Sequence, residues 1–400
     1  MNSFQPPTTA LIVNDSALKN DPRVLRQIEW LAASGWTIDT LGLGPTPPDG
    51  VRVHYTLRPF TGVRNSRVFR TLVHALLPNR LRFRLLDGWR VPHTLRQRVP
   101  RDRYNLVVMN DIELLPWIRY SVRNLLDGPS GGACHLDLHE YHEWSPKNRV
   151  ERILRRRLAG YHAWLKSHIR LAIFTSRSTV APGIAELYAT EFSIPLPSIV
   201  RNSTPFVSQE PSPVDPMEIN LVYHGNADPD RGLHLLVEAM RLLDTRFVLN
   251  LMLTGSSDDR SWLANFARDL GDRVRFVAPV PMPEVPSAIN RFDLEIIFFP
   301  PTTNNLRYVL PNKFFEAVQG RLGLVIGESV DMVALVTQFD NGLVVNGWRP
   351  EDLAAAIESL DGAKTEKMKS GSHAAARYLC SEREKISFLH ALGFSNPTEG

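Results

Sequence analysis

The sequence predicts an α/β protein built from two doubly wound parallel-sheet domains. Strand-like and helix-like segments alternate along nearly the whole chain, the pattern of successive βα units. The alternation halts once, at the proline-rich segment VSQEPSPVDPME, and then restarts. Four hundred residues also exceed what one ordinary core accommodates. The expected division is a Rossmann-like domain over 1–205, a linker at 206–217, a second Rossmann-like domain over 218–372, and a C-terminal helix within 373–400 that crosses back to the first domain.

The first run opens with the apolar strand TTALIVN. NDPRVLRQIEWLAASG follows, where Val24, Ile28 and Leu31 recur at i, i+4 and i+7, a helix with one buried face. WTIDTLGL, VRVHY, NLVVMN, HLDLH, LAIFTS and SIVRN read as further strands, with helices between them, notably over 147–168. The second run opens with INLVYHG and a helix on Leu233, Leu236, Val237 and Met240. The strands FVLNLMLTG, VRFVAPV, LEIIFFP, LGLVIG and GLVVNG complete it. A helix over 350–360 closes that sheet. HAAARYLCSEREKISFLHALGF then reads as helix with no partner there, so it is expected on the first domain.

Composition excludes several classes. Apolar residues make up 43% and charged residues 22%, ordinary for a globular chain and wrong for a disordered or collagen-like one. No apolar run reaches the ~18 residues of a membrane helix. MNSFQPPTTALIVND has no basic stretch before its short apolar run and reads as a first strand, not a signal peptide. Two cysteines, Cys134 and Cys380, make neither a disulfide framework nor a structural zinc site. A reducing, cytoplasmic setting is expected. Charge is uneven. Residues 1–200 hold 27 Lys and Arg against 16 Asp and Glu, whereas 201–400 hold 19 against 26. Thirteen arginines and only two acids, Asp87 and Asp102, lie between Arg52 and Arg103, so the halves face different partners.

In such folds ligands bind beyond the C-terminal ends of strands, at helix N-termini. The residues there are the candidates. After LEIIFFP, a helix starting near Pro311 places Asn312, Lys313 and Glu316 on one face. A helix N-terminus with Lys313 suits an anion, and a carboxylate one turn deeper suits a diol such as ribose. The same spacing also suits a capped core helix with a solvated polar face. In LVYHGNADPDRGLHLL, Gly225 permits close backbone approach and Arg231 can fork two phosphate oxygens. Asp228-Pro229-Asp230 has the form of a metal motif but fits helix capping better. HLDLHEYHEW delivers His139 and Glu140 at a strand end. Its histidines are three apart, which excludes the HExxH zinc motif. The loop NDSALKNDPRV after the first strand carries Asp15, Asn20 and Asp21, and lacks the GxGxxG of dinucleotide binding. No Ser-His-Asp or Cys-His signature is present.

Together these segments resemble a retaining GT-B glycosyltransferase of the family 4 kind, over nearly the whole chain. The strongest part is the second half: the strand–Gly–Arg-Gly–helix at 221–240, LTGSS at 253–257, VRFVAPVP at 274–281 and LPNKFFEAVQG at 310–320. The resemblance implies an interdomain cleft, with a nucleotide-sugar donor against the second half and the acceptor against the first. Arg231 matches the second residue of the family's basic pair, while Asn226 stands at the first. Glu316 matches the second Glu of the family's Glu-x7-Glu and would hold the ribose; Tyr308 replaces the first. His139 matches the strand-end His near the donor sugar. The implied catalytic set is His139, Arg231 and Lys313. The implied donor site is Gly225, Asn226, Gly255, Val277, Tyr308, Asn312 and Glu316, and the implied acceptor site is Asp15, Asn20, Asp21 and Glu140. No metal and no cofactor are implied beyond a UDP- or GDP-sugar substrate.

The expected activity is sugar transfer from a nucleoside-diphosphate sugar to a glycan or glycolipid, with retention, in polysaccharide biosynthesis. A nucleotide-sugar epimerase and a non-catalytic nucleotide- or glycan-binding protein are the alternatives. The arginines of 52–103, interleaved with Leu, Val, Phe and Trp89, have the composition of a helix on an anionic membrane, as does RVERILRRRLAGYHAWLKSHIR. A solvated helix face has it too; nucleic acid is not expected, because no binding motif accompanies the charge. The expected location is cytoplasmic, peripheral at the inner face of the cell membrane.

Overall fold

The computed structural model describes residues 8–92, 95, 104–125, 132–146, 148–228 and 231–394. The chain divides into two units. The first comprises 1–180, 184–200 and 385–400; the second comprises 181–183 and 201–384.

The first unit is built on a seven-stranded sheet in the order β3-β2-β1-β4-β5-β6-β7. Its strands are β1 (Thr9–Ala17), β2 (Thr37–Leu43), β3 (Val51–Thr56), β4 (Leu106–Asn110), β5 (Ala133–Leu138), β6 (Ser176–Thr179) and β7 (Ser198–Ile199), all paired in parallel. Ala10–Val13 and Leu106–Met109 are fully buried, since helices cover both faces of a parallel sheet. Helix α1 (Pro22–Ala32) lays Val24, Ile28 and Leu31 on it. The same core takes Phe388 and Leu389 from the C-terminal helix Ser381–Ala391, and Leu392 just after it. Phe388 is fully buried, its ring 5.5 Å from Trp30 and 5.7 Å from His135.

The second unit holds six parallel strands in the order β10-β9-β8-β11-β12-β13. They are β8 (Ile219–Asn226), β9 (Phe247–Thr254), β10 (Val274–Val277), β11 (Leu294–Ile297), β12 (Gly323–Ile326) and β13 (Gly342–Val344). Residues 206–217, the expected linker, lie along this unit. Val207 N donates to Gln319, Gln209 donates to the Gln319 carbonyl, and Ser212 donates to Asn290.

One strand stands away from its expected position. LAIFTS forms turns, and β6 is the polar SRST that follows. Its buried hydroxyls make that tenable: Ser178 donates to Asp137 at 2.6 Å and Thr179 to the Leu138 carbonyl at 2.7 Å.

In each sheet the strand order reverses beside its first strand: β1 sits between β2 and β4, and β8 between β9 and β11. The strand ends at these two switch points are where such sheets bind ligands.

Candidate functional site

At the second unit's switch point, β8 ends in His224, Gly225 and Asn226. Gly225 has φ +123°, a conformation that side chains resist, and a Cβ there would stand 3.4 Å from Lys313 Nζ. The helix Asn312–Gln319 begins just after Pro311 and brings Lys313 and Glu316 to the same place. Lys313 Nζ donates to the His224 carbonyl at 2.7 Å and lies 3.3 Å from the centre of the Tyr223 ring. Arg231 lies over Phe299 at 5.1 Å, and Lys313 is 5.2 Å from the centre of the same ring, so two cations share one aromatic ring. Burial lowers the Lys313 pKa to about 7, against the pull of Glu295, and the Arg231 charge reinforces the drop. Gly232, at φ +68°, turns the chain into the helix Leu233–Leu242.

His224 bridges two carboxylates. Its Nδ1 meets Glu295 at 2.9 Å and its Nε2 meets Glu316 at 2.9 Å. Burial alone would lower its pKa; Glu295 and Glu316 outweigh that and raise it to about 9. Glu295 is fully buried inside β11. Neither His224 nor Glu295 was singled out as a site residue from sequence; a glutamate in the otherwise apolar LEIIFF was the available signal. Asn312 Oδ1 is buried with no hydrogen-bond partner. Asn226 faces solvent next to Gly255, where a Cβ would collide with the Asn226 side chain. Tyr308 follows the short helix Asn304–Arg307 and fills the space a Cβ at Gly183, in the same unit, would need. Val277 stands at the end of the edge strand β10, apart from these residues in the sheet order. Pro229 and Asp230 lie outside the described residues.

The first unit gathers a second cluster. Asp137, fully buried at the end of β5, receives Arg23 bidentately at 2.6 and 2.7 Å, Gln27 at 2.6 Å and Ser178 at 2.6 Å. Burial opposes its ionisation, but Arg23 holds its pKa well below the usual range. His139 Nε2 lies 2.9 Å from Asn110 Oδ1 and 3.5 Å from Asp137, and its Nδ1 lies 3.6 Å from Asp111. Burial would lower the His139 pKa; Asp111 and Asp137 raise it to about 9. His142 Nε2 meets the other Asp111 oxygen at 3.1 Å. Asp111 has φ +58°, uncommon for a side-chain-bearing residue and of the kind found at functional sites. Glu113, beside it in the chain, is pushed up to about 7 by burial and by the Asp111 charge.

The expected acceptor residues divide. Asp21 caps α1 through the amides of Arg23 and Val24 and also accepts from Asn14 and Ser16. Asp15 pairs with Arg90 at 2.7 Å, while its other oxygen is buried without a partner. Asn20 lies in the 3-10 turn Leu18–Asn20 that leads into Asp21. Glu140 is exposed, with its carbonyl accepting from Tyr188. Asp111, Glu113, Asp137, Arg23 and Gln27 were missed as a group because three sequence-distant segments, 23–27, 111–113 and 137, converge only when β4, β5 and α1 pack.

Residues 218–361 match the family described as Glycosyl transferases group 1. No curated protein sequence matches the chain significantly. Solved structures do. Sucrose-phosphate synthase from Thermosynechococcus elongatus is 15% identical over 96% of this chain and 98% of its own, with TM-score 0.67. An E. coli structure described as "Trehalose-6-phosphate from E. coli bound with UDP-2-fluoro glucose" is 11% identical over 98% and 100%, with TM-score 0.67. Anabaena Alr3699/HepE in complex with UDP is 14% identical over 96% and 99%, with TM-score 0.63. Residues 218–361 thus resemble the Glycosyl transferases group 1 family, in a chain whose two all-parallel sheets have the GT-B fold.

Proposed function

We propose that the chain is a glycosyltransferase that moves a sugar from a nucleoside-diphosphate sugar to a glycan or glycolipid acceptor, retaining and without a metal. The observation that carries this reading is the meeting of Lys313, Arg231 and Glu316 at the end of β8, inside the matched domain. In the reaction, the bond between the anomeric carbon and the diphosphate oxygen breaks and the acceptor hydroxyl bonds to that carbon. The acceptor's proton passes to the departing phosphate oxygen, which leaves on the same face. Charge grows on the diphosphate, and Arg231 and Lys313 are the cations to receive it. Asn312, with its unsatisfied oxygen at the same helix N-terminus, belongs to the donor site, as do Gly225, Asn226, Gly255, Val277 and Tyr308. Glu316, held by His224, takes the ribose hydroxyls. The first unit serves the acceptor, with Asp15, Asn20, Asp21 and Glu140 on that side and His139 orienting the transferred sugar.

UDP in the Anabaena neighbour and UDP-2-fluoro glucose in the E. coli one support a uridine nucleotide as the first to try. A panel of nucleoside diphosphates read by thermal shift identifies the base, and donor turnover is then followed in variants. Arg231→Ala and Lys313→Ala each cut turnover by about 10²–10³, the scale for removing a preorganised electrostatic donor. Binding of the nucleoside monophosphate suffers less, and Glu316→Gln weakens the nucleoside itself. Near-normal turnover in both alanine variants would end the mechanism.

A further inference from the structure

The basic stretch of the sequence does not form one surface. Arg82 is buried and spends its guanidinium on the carbonyls of Leu77 and Arg157; Arg90 is buried against Asp15. Arg96, Arg98, Arg101 and Arg103 lie outside the described residues. A different surface comes together in the first unit, from segments some seventy residues apart. Helix α2 (Arg67–Leu76) and helix α3 (Asn79–Leu85) pack against α4 (Arg149–Ile153) and α5 (Arg155–Lys166). Asn79 donates to the Gly160 carbonyl, Arg82 to that of Arg157, and the His74 and Tyr161 rings meet edge-on at 5.8 Å.

This face is apolar where water should reward polarity. Of the fifteen large apolar side chains exposed among the described residues, seven lie within 63–81 and 150–153. Val68, Leu72 and Leu76 repeat at every fourth position and make one ridge along α2, with Val68 69% and Leu76 70% exposed. Ile153 on α4 is 75% exposed. Arg67, Arg70, Arg149, Arg152, Arg155 and Arg156 are also exposed on these helices and make no ion pair among the described residues. A cavity of about 930 Å³ opens between α2 and α4, its charged and titratable lining on these helices being Arg67, Arg70, His74, Arg149 and Glu151. Its wall includes Glu143 and Trp144, from the loop that also carries His139 and His142.

We propose that this face of the first unit docks on an anionic lipid bilayer. The ridge Val68–Leu72–Leu76 and Ile153 enter the interface, the exposed arginines hold lipid phosphates, and the cavity admits a head group. Clustered apolar side chains with unpaired cations are what an interfacial segment needs, since buried area and electrostatic attraction add. A merely solvated face accounts for the arginines but not for the exposed ridge.

The test is sedimentation of the full chain with vesicles of phosphatidylcholine, with and without phosphatidylglycerol. The protein binds the anionic vesicles and not the neutral ones. Binding falls steeply as salt rises, because the Debye length shrinks from about 10 Å at 0.1 M to about 3 Å at 1 M. Each of Arg152→Gln, Arg155→Gln and Arg156→Gln weakens it about fivefold. Leu72→Glu with Leu76→Glu abolishes binding while the arginines remain, and an unchanged thermal transition shows that the variant folds. Equal binding to both vesicle types, or binding to neither, overturns the proposal. So does capture by a soluble polyanion such as heparin without any vesicle binding. Nucleotide binding in solution, measured on the same variants, stays intact, so failure here is separable from failure of the transferase reading.

Discussion

Raising the pH from 7 to 9 should strip the proposed donor site of one of its two cations. Lys313 sits at about 7 because it is buried on aromatic rings beside Arg231, so in the empty protein it is about half protonated at pH 7. At pH 9 about 1% keeps its proton. A diphosphate binds the protonated form and raises its pKa by neutralising the repulsion from Arg231. Apparent affinity then follows the protonated fraction, weakening about 50-fold between pH 7 and 9, or roughly 2.3 kcal/mol. Titration calorimetry of UDP in buffers of different ionisation enthalpy reads this twice, as the affinity and as proton uptake. Uptake is about half a proton per UDP at pH 7 and nearly one at pH 9. Uridine, with no phosphate, shows no such slope, and Lys313→Arg flattens it because guanidinium stays charged. A flat UDP affinity with no proton uptake would refute the placement of the diphosphate on Lys313.

Other outcomes follow from the same geometry. His139 has a folded pKa of about 9 against an ordinary 6.5, so its stabilisation is full below pH 6.5 and disappears as pH rises through 9. Wild type should therefore lose roughly 3 kcal/mol more than His139→Asn over that window, read by urea unfolding at pH 6 and pH 9. Glu113 at about 7 acts in the same direction at lower pH, losing stability between 4.5 and 7, so Glu113→Gln should raise the melting temperature above pH 7. Phe388→Ala opens a void against Trp30 and should cost the first unit about 3–5 kcal/mol. Hydrogen exchange should then rise in β1 and α1, and exchange unchanged there would contradict the packing described.

The sheets were legible because most strands, such as ALIV in β1 and LVVM in β4, are apolar on both faces. The exceptions carry the chemistry. Asp137 and Glu295 are charges inside strands, tolerable only because Arg23 and His224 arrive from other elements. No local pattern announces such partners. Lys313 and Glu316 were legible, lying three apart on one helix, but the His224 that links to both comes from a strand about ninety residues earlier. β6 was misplaced for the same reason: SRST looks like a loop until His135 and Asp137 take up its hydroxyls.

The first unit's core contains residues from both ends of the chain, with Phe388, Leu389 and Leu392 beside Ala10 and Ile12. In synthesis, residues 1–200 emerge before the segment that follows 384, yet their core lacks its last wall until Leu392 has been made. The second unit, continuous from 201 to 384 apart from a three-residue contribution, has its own residues available earlier. The unit begun first is therefore completed last. Until then the face of α1 that carries Trp30 waits uncovered, a place for a chaperone to act on the nascent chain.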